Sequence, residues 1–203
     1  MDIVCLDLEG VLIPEIWINF AERTGIEELR LTTRDVPDYD ELMTRRLGIL
    51  AQHQLGLRQI QEVIDSMDPL PGAKDFLDSL RERHQLVILS DTFYQFAQPM
   101  MRKLGQPTLF CHRLTVEKGA GRITDYVLRQ KDPKRKAVEA LRGLNFRVVA
   151  AGDSYNDTTM LAAAHAGILF RAPERVIREF PQYPTATEYD ELRQLIDRAL
   201  QSQ

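Results

Sequence analysis

Acidic and polar side chains follow three apolar runs that have the length and composition of buried strands. The runs end in these residues: Asp7 and Glu9; Ser90 and Asp91; Asp153, Asn156 and Asp157. The carboxyl ends of parallel strands meet at one edge of an open α/β sheet. Acids from separate strands that meet there form an oxygen-rich site suited to Mg²⁺. An aspartate beside such a cation can attack phosphorus, so the spacing predicts phosphoryl chemistry at this edge.

The elements that must position these residues alternate between strand and helix along the chain. Alternation of this kind predicts an α/β fold with a doubly wound, Rossmann-like parallel sheet. A fourth buried strand is expected at Ala166–Phe170, and the extended segments 109–117 and 122–128 around Lys118-Gly119-Ala120-Gly121 read as a hairpin. An amphipathic helix is expected from Tyr189 to Leu200.

Residues 14–70 carry helical periodicity instead of strands, with a loop rich in Thr, Asp and Pro at 32–40. We expect them to form a small helical cap inserted after the first strand, on a core domain of residues 1–13 and 71–203. Arg46 falls in the middle of the apolar stripe of one cap helix, whereas Arg45 falls outside it. A buried charge needs a partner, so Arg46 is a candidate ligand-binding residue.

The composition is that of an ordinary soluble globular protein. The 203 residues carry a formal net charge of -4, and the basic residues do not form one long block, which argues against nucleic-acid binding. No apolar stretch reaches the length of a membrane span, and no signal segment is expected at the N-terminus, which predicts a cytoplasmic protein without a membrane partner. Cys5 and Cys111 are expected to be reduced core thiols.

Together the motifs carry a family resemblance. Asp7-Leu8-Glu9-Gly10-Val11, Ser90, Lys131 and the segment from Gly152 to Asp157 resemble, in that order, the four signature motifs of the haloacid dehalogenase (HAD) superfamily. The helical insert and the Lys118 hairpin resemble its phosphoserine phosphatase branch. The resemblance implies a Mg²⁺-dependent phosphatase of O-phospho-L-serine that also passes the phosphoryl group to L-homoserine. It leaves the oligomeric state open, a homodimer included.

The resemblance also implies roles for individual residues. Asp7 would be the nucleophile, and Glu9 would act as general acid and base while its backbone carbonyl binds Mg²⁺. Asp153 would bind Mg²⁺ directly and Asp157 from the outer shell. The substrate-binding groups would be Ser90 and Lys131 at the phosphoryl group, and Glu15 and Arg46 at the amine and carboxylate of the substrate. Asp91 and Asn156, which follow the second and third apolar runs, are further candidate substrate-binding residues.

Three departures and two alternatives stay open at this point. The family usually has Asp at the position of Glu9 and Gly at the position of Asp91, and Lys134 and Lys136 lie close enough to Lys131 to replace it. A longer acid could misplace proton transfer to water and so favour another acceptor alcohol; Asp91 could bind an incoming amine. The alternatives are a phosphatase for another small phosphomonoester and a catalytically weak phosphate-sensing module.

Overall fold

A sheet of seven strands lies at the centre of the protein. The structure is a computed structural model, and it describes residues 1–32, 35–36 and 38–201. The strands are β1 (Asp2–Leu6), β2 (Gln85–Phe93), β3 (Leu109–Val116), β4 (Ile123–Val127), β5 (Arg147–Gly152), β6 (Ala166–Phe170) and β7 (Thr185–Ala186). Their spatial order is β4-β3-β2-β1-β5-β6-β7, and neighbouring strands are parallel except for the antiparallel pair β3 and β4.

Helices connect the strands. They are α1 (Ile16–Thr24), α2 (Tyr39–Gln52), α3 (Leu57–Asp65), α4 (Ala73–Arg81), α5 (Tyr94–Lys103), α6 (Pro133–Gly143), α7 (Thr158–Ala163), α8 (Glu174–Glu179) and α9 (Tyr189–Gln201), with 3₁₀ turns at Glu27–Arg30 and Tyr155–Asp157. Within the described ranges, no helix is long and apolar enough to cross a membrane.

The α/β fold and the doubly wound sheet predicted from the sequence are confirmed. The hairpin is the antiparallel pair of β3 and β4, and β6 has the predicted bounds. The sequence reading missed β7 and α8, because two and six residues are too short for a periodic pattern to be recognised. Part of the predicted loop at 32–40, namely residues 33, 34 and 37, lies outside the described residues.

Strand β1 occupies the middle of the sheet, between β2 and β5. Its residues Val4, Cys5 and Leu6 are fully buried, as expected for a parallel strand covered on both faces. Because β1 pairs with both neighbours in register, the ends of these three strands lie side by side. Two of the three groups of polar residues seen in the sequence follow the ends of β1 and β5, and the third, Ser90 and Asp91, lies within β2 just beyond Ile88, the partner of Leu6.

Strand β2 has an irregularity beside the same edge. Leu89 pairs with Phe110 and Phe93 pairs with His112, so three residues of β2 lie opposite one residue of β3 between these pairs. Extra residues in one strand bend it and re-aim its side chains. Ser90 and Asp91 lie within this irregularity. Strand β2 continues beyond Asp91, whereas the sequence pattern predicts that it ends there.

The helices within residues 14–70 pack on the sheet domain through a continuous apolar cluster. The rings of Trp17 in α1 and Phe96 in α5 are 5.4 Å apart, and Phe96 in turn contacts Phe93 of β2 at 5.5 Å. Lys103 of α5 donates to the backbone carbonyls of Asp65 and Met67, where the helical segment returns to the sheet. The division into a cap and a core domain stays a prediction.

We expect Phe96→Ala to lower the free energy of unfolding by about 3–5 kcal/mol, because it empties a fully buried position between the helical segment and the sheet. Leu144→Ala, at a side chain that is 69% exposed, should change it by less than about 0.5 kcal/mol. Guanidinium unfolding followed by circular dichroism and by the fluorescence of Trp17, the one tryptophan, would measure both. Two separate transitions in the wild-type protein would contradict a shared core.

Candidate active site

Asp7 lies directly after β1 and is 4% exposed. Its backbone N–H donates to the carbonyl of Ala151 at 3.0 Å, which extends the pairing with β5 by one residue. Its Oδ1 accepts the N–H of Leu8 at 2.7 Å and lies 2.9 Å from Nζ of Lys134. These contacts fix the orientation of the Asp7 carboxylate at the sheet edge.

Two further acids lie beside Asp7. Carboxylate oxygens of Asp7, Asp153 and Asp157 come within 4.8 Å of one another, and all three side chains are buried. Asp157 is fully buried and its Oδ2 accepts the N–H groups of Asp153 and Ser154 at 3.1 and 3.2 Å. The structure thus brings together three of the predicted metal ligands, from two neighbouring strands.

Glycines leave the space that these acids occupy. A Cβ at Gly10 would lie 2.6 Å from Oδ2 of Asp153, and one at Gly152 would lie 2.4 Å from Cγ of Asp157. Gly10 also has φ +77°, a conformation that residues with side chains rarely adopt. Its N–H donates to the carbonyl of Ile13, so this donor is already used inside the loop.

Lys134 is the cation that lies among these acids, whereas Lys131, the lysine predicted at the phosphoryl group, is exposed outside the cluster. Nζ of Lys134 lies 2.7 Å from Asp157, 2.9 Å from Asp7 and 3.6 Å from Asp91, with the side chain 3% exposed. Lys131 is exposed and precedes α6, and Asp132 has φ 50° before the helix begins at Pro133.

A signal in the sequence identifies Lys134. It lies three and four residues before the buried Ala137 and Val138, and therefore on the buried face of α6. Lys136, the other alternative, is exposed.

The charges in the cluster shift each other's pKa values. Burial raises the pKa of Asp7 well above its usual range, the charge of Asp157 adds to this, and Lys134 opposes it. Burial alone would lower the pKa of Lys134, but Asp157, Asp7 and Asp91 outweigh it and hold the pKa well above the ordinary value. At Asp91, burial raises the pKa, yet Lys134 together with His112 and Asn156 holds it far below the usual range. Asp91 is therefore a carboxylate and Lys134 an ammonium at neutral pH.

Near the end of β2, Asp91 reaches the same cluster through Lys134. Ser90 is 3% exposed, and its hydroxyl oxygen accepts the N–H of Thr92 at 3.2 Å. Asp91 has a side chain that is 30% exposed, and its Oδ2 accepts from Nδ2 of the exposed Asn156 at 2.9 Å. Asn156 and Asp91, predicted as separate substrate groups, thus bind each other.

Glu9, Glu15 and Arg46 form a second group beside the first. Oε2 of Glu9 accepts the N–H of Ile16 at 2.8 Å at the start of α1. Burial and the charge of Glu15 raise the pKa of Glu9 to about 8, although Arg46 lowers it. The Glu9 side chain is therefore hydrogen-bonded to the helical segment.

Arg46 is 6% exposed, as its place on the apolar stripe of α2 predicted. Its guanidinium carbon lies 4.3 Å from the ring centre of Trp17, and Nη2 donates to the carbonyl of Leu31 at 2.8 Å. Nε is buried and has no hydrogen-bond partner within the part of the chain that the structure describes. Burial lowers the pKa of Arg46 to about 10, against Tyr39, Glu9 and Glu15, which raise it.

Two residues of the site were not identified from the sequence. Tyr39 of α2 donates its hydroxyl to the backbone carbonyl of Asp91 at 3.1 Å. His112 of β3 is 3% exposed, and its Nε2 lies 3.7 Å from Oδ1 of Asp91. The sequence did contain a signal for His112, because it lies two residues before Leu114 and therefore on the same, buried face of β3.

The acidic cluster fits a small divalent cation. Three buried carboxylates at this range repel one another, and Lys134 supplies only one positive charge to them. Oxygen ligands of this kind are those that Mg²⁺ takes in proteins.

Comparisons with known proteins agree with this geometry. A family model described as haloacid dehalogenase-like hydrolase matches residues 1–165. The chain is 64% identical to phosphoserine phosphatase ThrH of Pseudomonas aeruginosa, over 95% of this chain and 94% of the relative. It is 63% identical to a phosphoserine phosphatase of Pseudomonas syringae pv. tomato, over 95% and 81%. A crystal structure of phosphoserine phosphatase from T. onnurineus has a similar fold, with a TM-score of 0.71 at 23% identity, over 100% of this chain and 96% of that one.

We expect Lys134→Met to lower the free energy of unfolding by about 3–5 kcal/mol in the presence of a chelator, because it leaves the buried acids around it without their cation. Lys131→Met, a matched change at an exposed position on the same segment, should alter it by less than about 0.5 kcal/mol. Denaturant unfolding of the two variants measures the difference. Equal stability of both would mean that Lys134 does not neutralise the cluster.

Proposed function

The chain belongs to the haloacid dehalogenase-like hydrolase family, and we propose that it is a Mg²⁺-dependent phosphatase of O-phospho-L-serine that also transfers the phosphoryl group to L-homoserine. The observation that carries the proposal is the cluster in which Asp7 lies against Lys134 beside Asp153 and Asp157. The substrate is proposed from the relatives of 64% and 63% identity, whose names state phosphoserine phosphatase.

In the proposed first step, a carboxylate oxygen of Asp7 attacks the phosphorus of the substrate. The bond from phosphorus to the serine oxygen breaks, and that oxygen takes a proton from Glu9. Lys134 and the hydroxyl of Ser90 donate to the phosphoryl oxygens. A Mg²⁺ ion held by Asp7, Asp153, the carbonyl of Glu9 and, from the outer shell, Asp157 would supply further positive charge.

In the second step, water or an alcohol attacks the phosphorus carried on Asp7. The attacking oxygen gives its proton to Glu9, and the Asp7 carboxylate leaves. Glu9 is one methylene longer than aspartate and is hydrogen-bonded to the start of α1. These features support slow activation of water, and an intermediate that meets water slowly survives to meet an alcohol.

Arg46 and Glu15 would bind the carboxylate and the amine of the substrate. The buried guanidinium of Arg46 retains an N–H at Nε without a partner among the described residues, and such a group favours an anionic ligand. Glu15, which lies near Arg46, contributes the opposite charge that an ammonium group requires.

The first test is phosphorus NMR of the protein with Mg²⁺ and O-phospho-L-serine, with and without L-homoserine. We expect inorganic phosphate in both samples and a new phosphomonoester signal only with homoserine. Asp7→Asn should lower turnover by about 10³-fold or more, since it removes the nucleophile, and a chelator should abolish turnover of the wild-type protein. Turnover that survives Asp7→Asn would contradict the phosphoryl intermediate.

A second test addresses the substrate carboxylate. Arg46→Ala should reduce kcat/KM for O-phospho-L-serine by about 10²-fold, as expected for a lost charged hydrogen bond in a buried site, and should affect p-nitrophenyl phosphate much less. Arg45→Ala is the matched control, because Arg45 is exposed on the same helix and pairs with Glu41. Equal losses on the two substrates would contradict the role of Arg46.

A further inference from the structure

Asp91 is a carboxylate at the active site for which the phosphatase steps have no use. It lies 3.6 Å from Lys134, which also contacts Asp7, and its side chain is 30% exposed. A fixed negative charge beside Lys134 opposes the binding of a phosphoryl group, because like charges repel. The natural ligand of such a group is a cation.

The surrounding residues hold the Asp91 carboxylate in one orientation. Nδ1 of His112 accepts the backbone N–H of Arg129 at 3.1 Å, so the proton of the neutral imidazole is on Nε2, which faces Oδ1 of Asp91 at 3.7 Å. On the other oxygen, Asn156 donates to Oδ2 at 2.9 Å. Tyr39 holds the backbone carbonyl of the same residue.

This arrangement leaves Asp91 able to accept from a ligand. A carboxylate has about four acceptor positions. Asn156 occupies one of them with a hydrogen bond of 2.9 Å, whereas Lys134 and His112 lie 3.6 and 3.7 Å away, beyond hydrogen-bond distance. The exposed part of the side chain supplies access to the remaining positions. His112, Asn156 and Tyr39 therefore orient the group without using it up.

We propose that Asp91, oriented by His112, binds the ammonium group of an amino alcohol that accepts the phosphoryl group from Asp7. The inference rests on the proposed function and deepens it, because it names the residue that selects the acceptor. His112 is a positioning residue in this scheme.

The transfer step balances as follows. The hydroxyl oxygen of the amino alcohol attacks phosphorus, the bond from phosphorus to the Asp7 oxygen breaks, and its electron pair returns to the Asp7 carboxylate. The alcohol proton passes to Glu9. The products are the phosphorylated amino alcohol and free Asp7, with no other reactant.

The test charges Asp7 from p-nitrophenyl phosphate, a donor without an amine, and then compares acceptors that differ only in the amine. L-Homoserine is paired with 4-hydroxybutanoate, and 3-aminopropan-1-ol with propan-1-ol. Phosphorus NMR gives, within each variant, the ratio of transfer to hydrolysis. In Asp91→Asn we expect this ratio to fall about 10- to 100-fold for the two amino alcohols relative to their amine-free partners.

The ratio of transfer to hydrolysis separates amine binding by Asp91 from a simpler role, in which Asp91 balances the charge of Lys134. If Asp91 only balances the charge of Lys134, Asp91→Asn will change amino and amine-free acceptors alike, and the proposal is wrong. Glu15→Gln tests the other acid that the proposed function places at an amine, that of the phosphorylated substrate. Loss of amine selectivity in that variant instead of in Asp91→Asn would also overturn the proposal.

Variants of His112 test the positioning role. His112→Phe removes the imidazole nitrogen that faces Asp91 and should raise KM for amino-alcohol acceptors more than it lowers kcat. His112→Gln keeps one donor and one acceptor on the side chain and should restore most of the selectivity. Failure of His112→Gln to differ from His112→Phe would remove His112 from the scheme.

Calorimetric titration of L-homoserine into the Mg²⁺-saturated wild-type and Asp91→Asn proteins gives a readout independent of turnover. Equal affinity would overturn the inference. A wild-type protein that hydrolyses O-phospho-L-serine but makes no phosphomonoester from any alcohol would also overturn it and would leave the phosphatase intact. Absence of hydrolysis of any phosphomonoester would reject the proposed function, while the titration would still decide on Asp91.

Discussion

The site depends on the interaction of the Lys134 ammonium group with three acids, Asp7, Asp91 and Asp157. Asp7 and Asp157 are buried, and without a cation their charges would repel each other at short range in a poorly solvated place. Lys134 lies in the first turn of the helix α6, whereas the acids belong to strands of the sheet or to the residues that follow them. The packing of α6 against the sheet is therefore a condition for an ionised Asp7.

The absence of side chains at two glycines is the steric counterpart of this charge pairing. Asp153 fills the place that a Cβ of Gly10 would take, and Asp157 fills the corresponding place at Gly152. Close packing allows the carboxylates to approach within the range of one cation, but it also raises the cost of their charge. The tight loop after β1 thus allows the carboxylates to approach one another, and the lysine from α6 offsets the cost of their charge.

The helical segment joins the site through polar contacts as well as through the apolar cluster. Tyr39 of α2 binds the carbonyl of Asp91, and the start of α1 binds the side chain of Glu9. A change in the position of α1 or α2 would therefore change the position of Glu9 or Asp91. In the proposed mechanism this couples recognition of the substrate to the orientation of the acid and base.

The sequence by itself determined the α/β class, the central strands, and the acids that follow them, because hydrophobic period and strand ends are local properties. It also singled out Arg46, since one charge on an apolar stripe is visible without coordinates. The helical period of α6 places Lys134 on its buried face, but only the tertiary structure shows which side chains meet: Lys134 instead of Lys131 contacts the acids, and His112 lies opposite Asp91. These contacts depend on the turn before α6 and on the irregular register of β2 with β3, which join residues distant in sequence. A local pattern carries no information on distances between such residues.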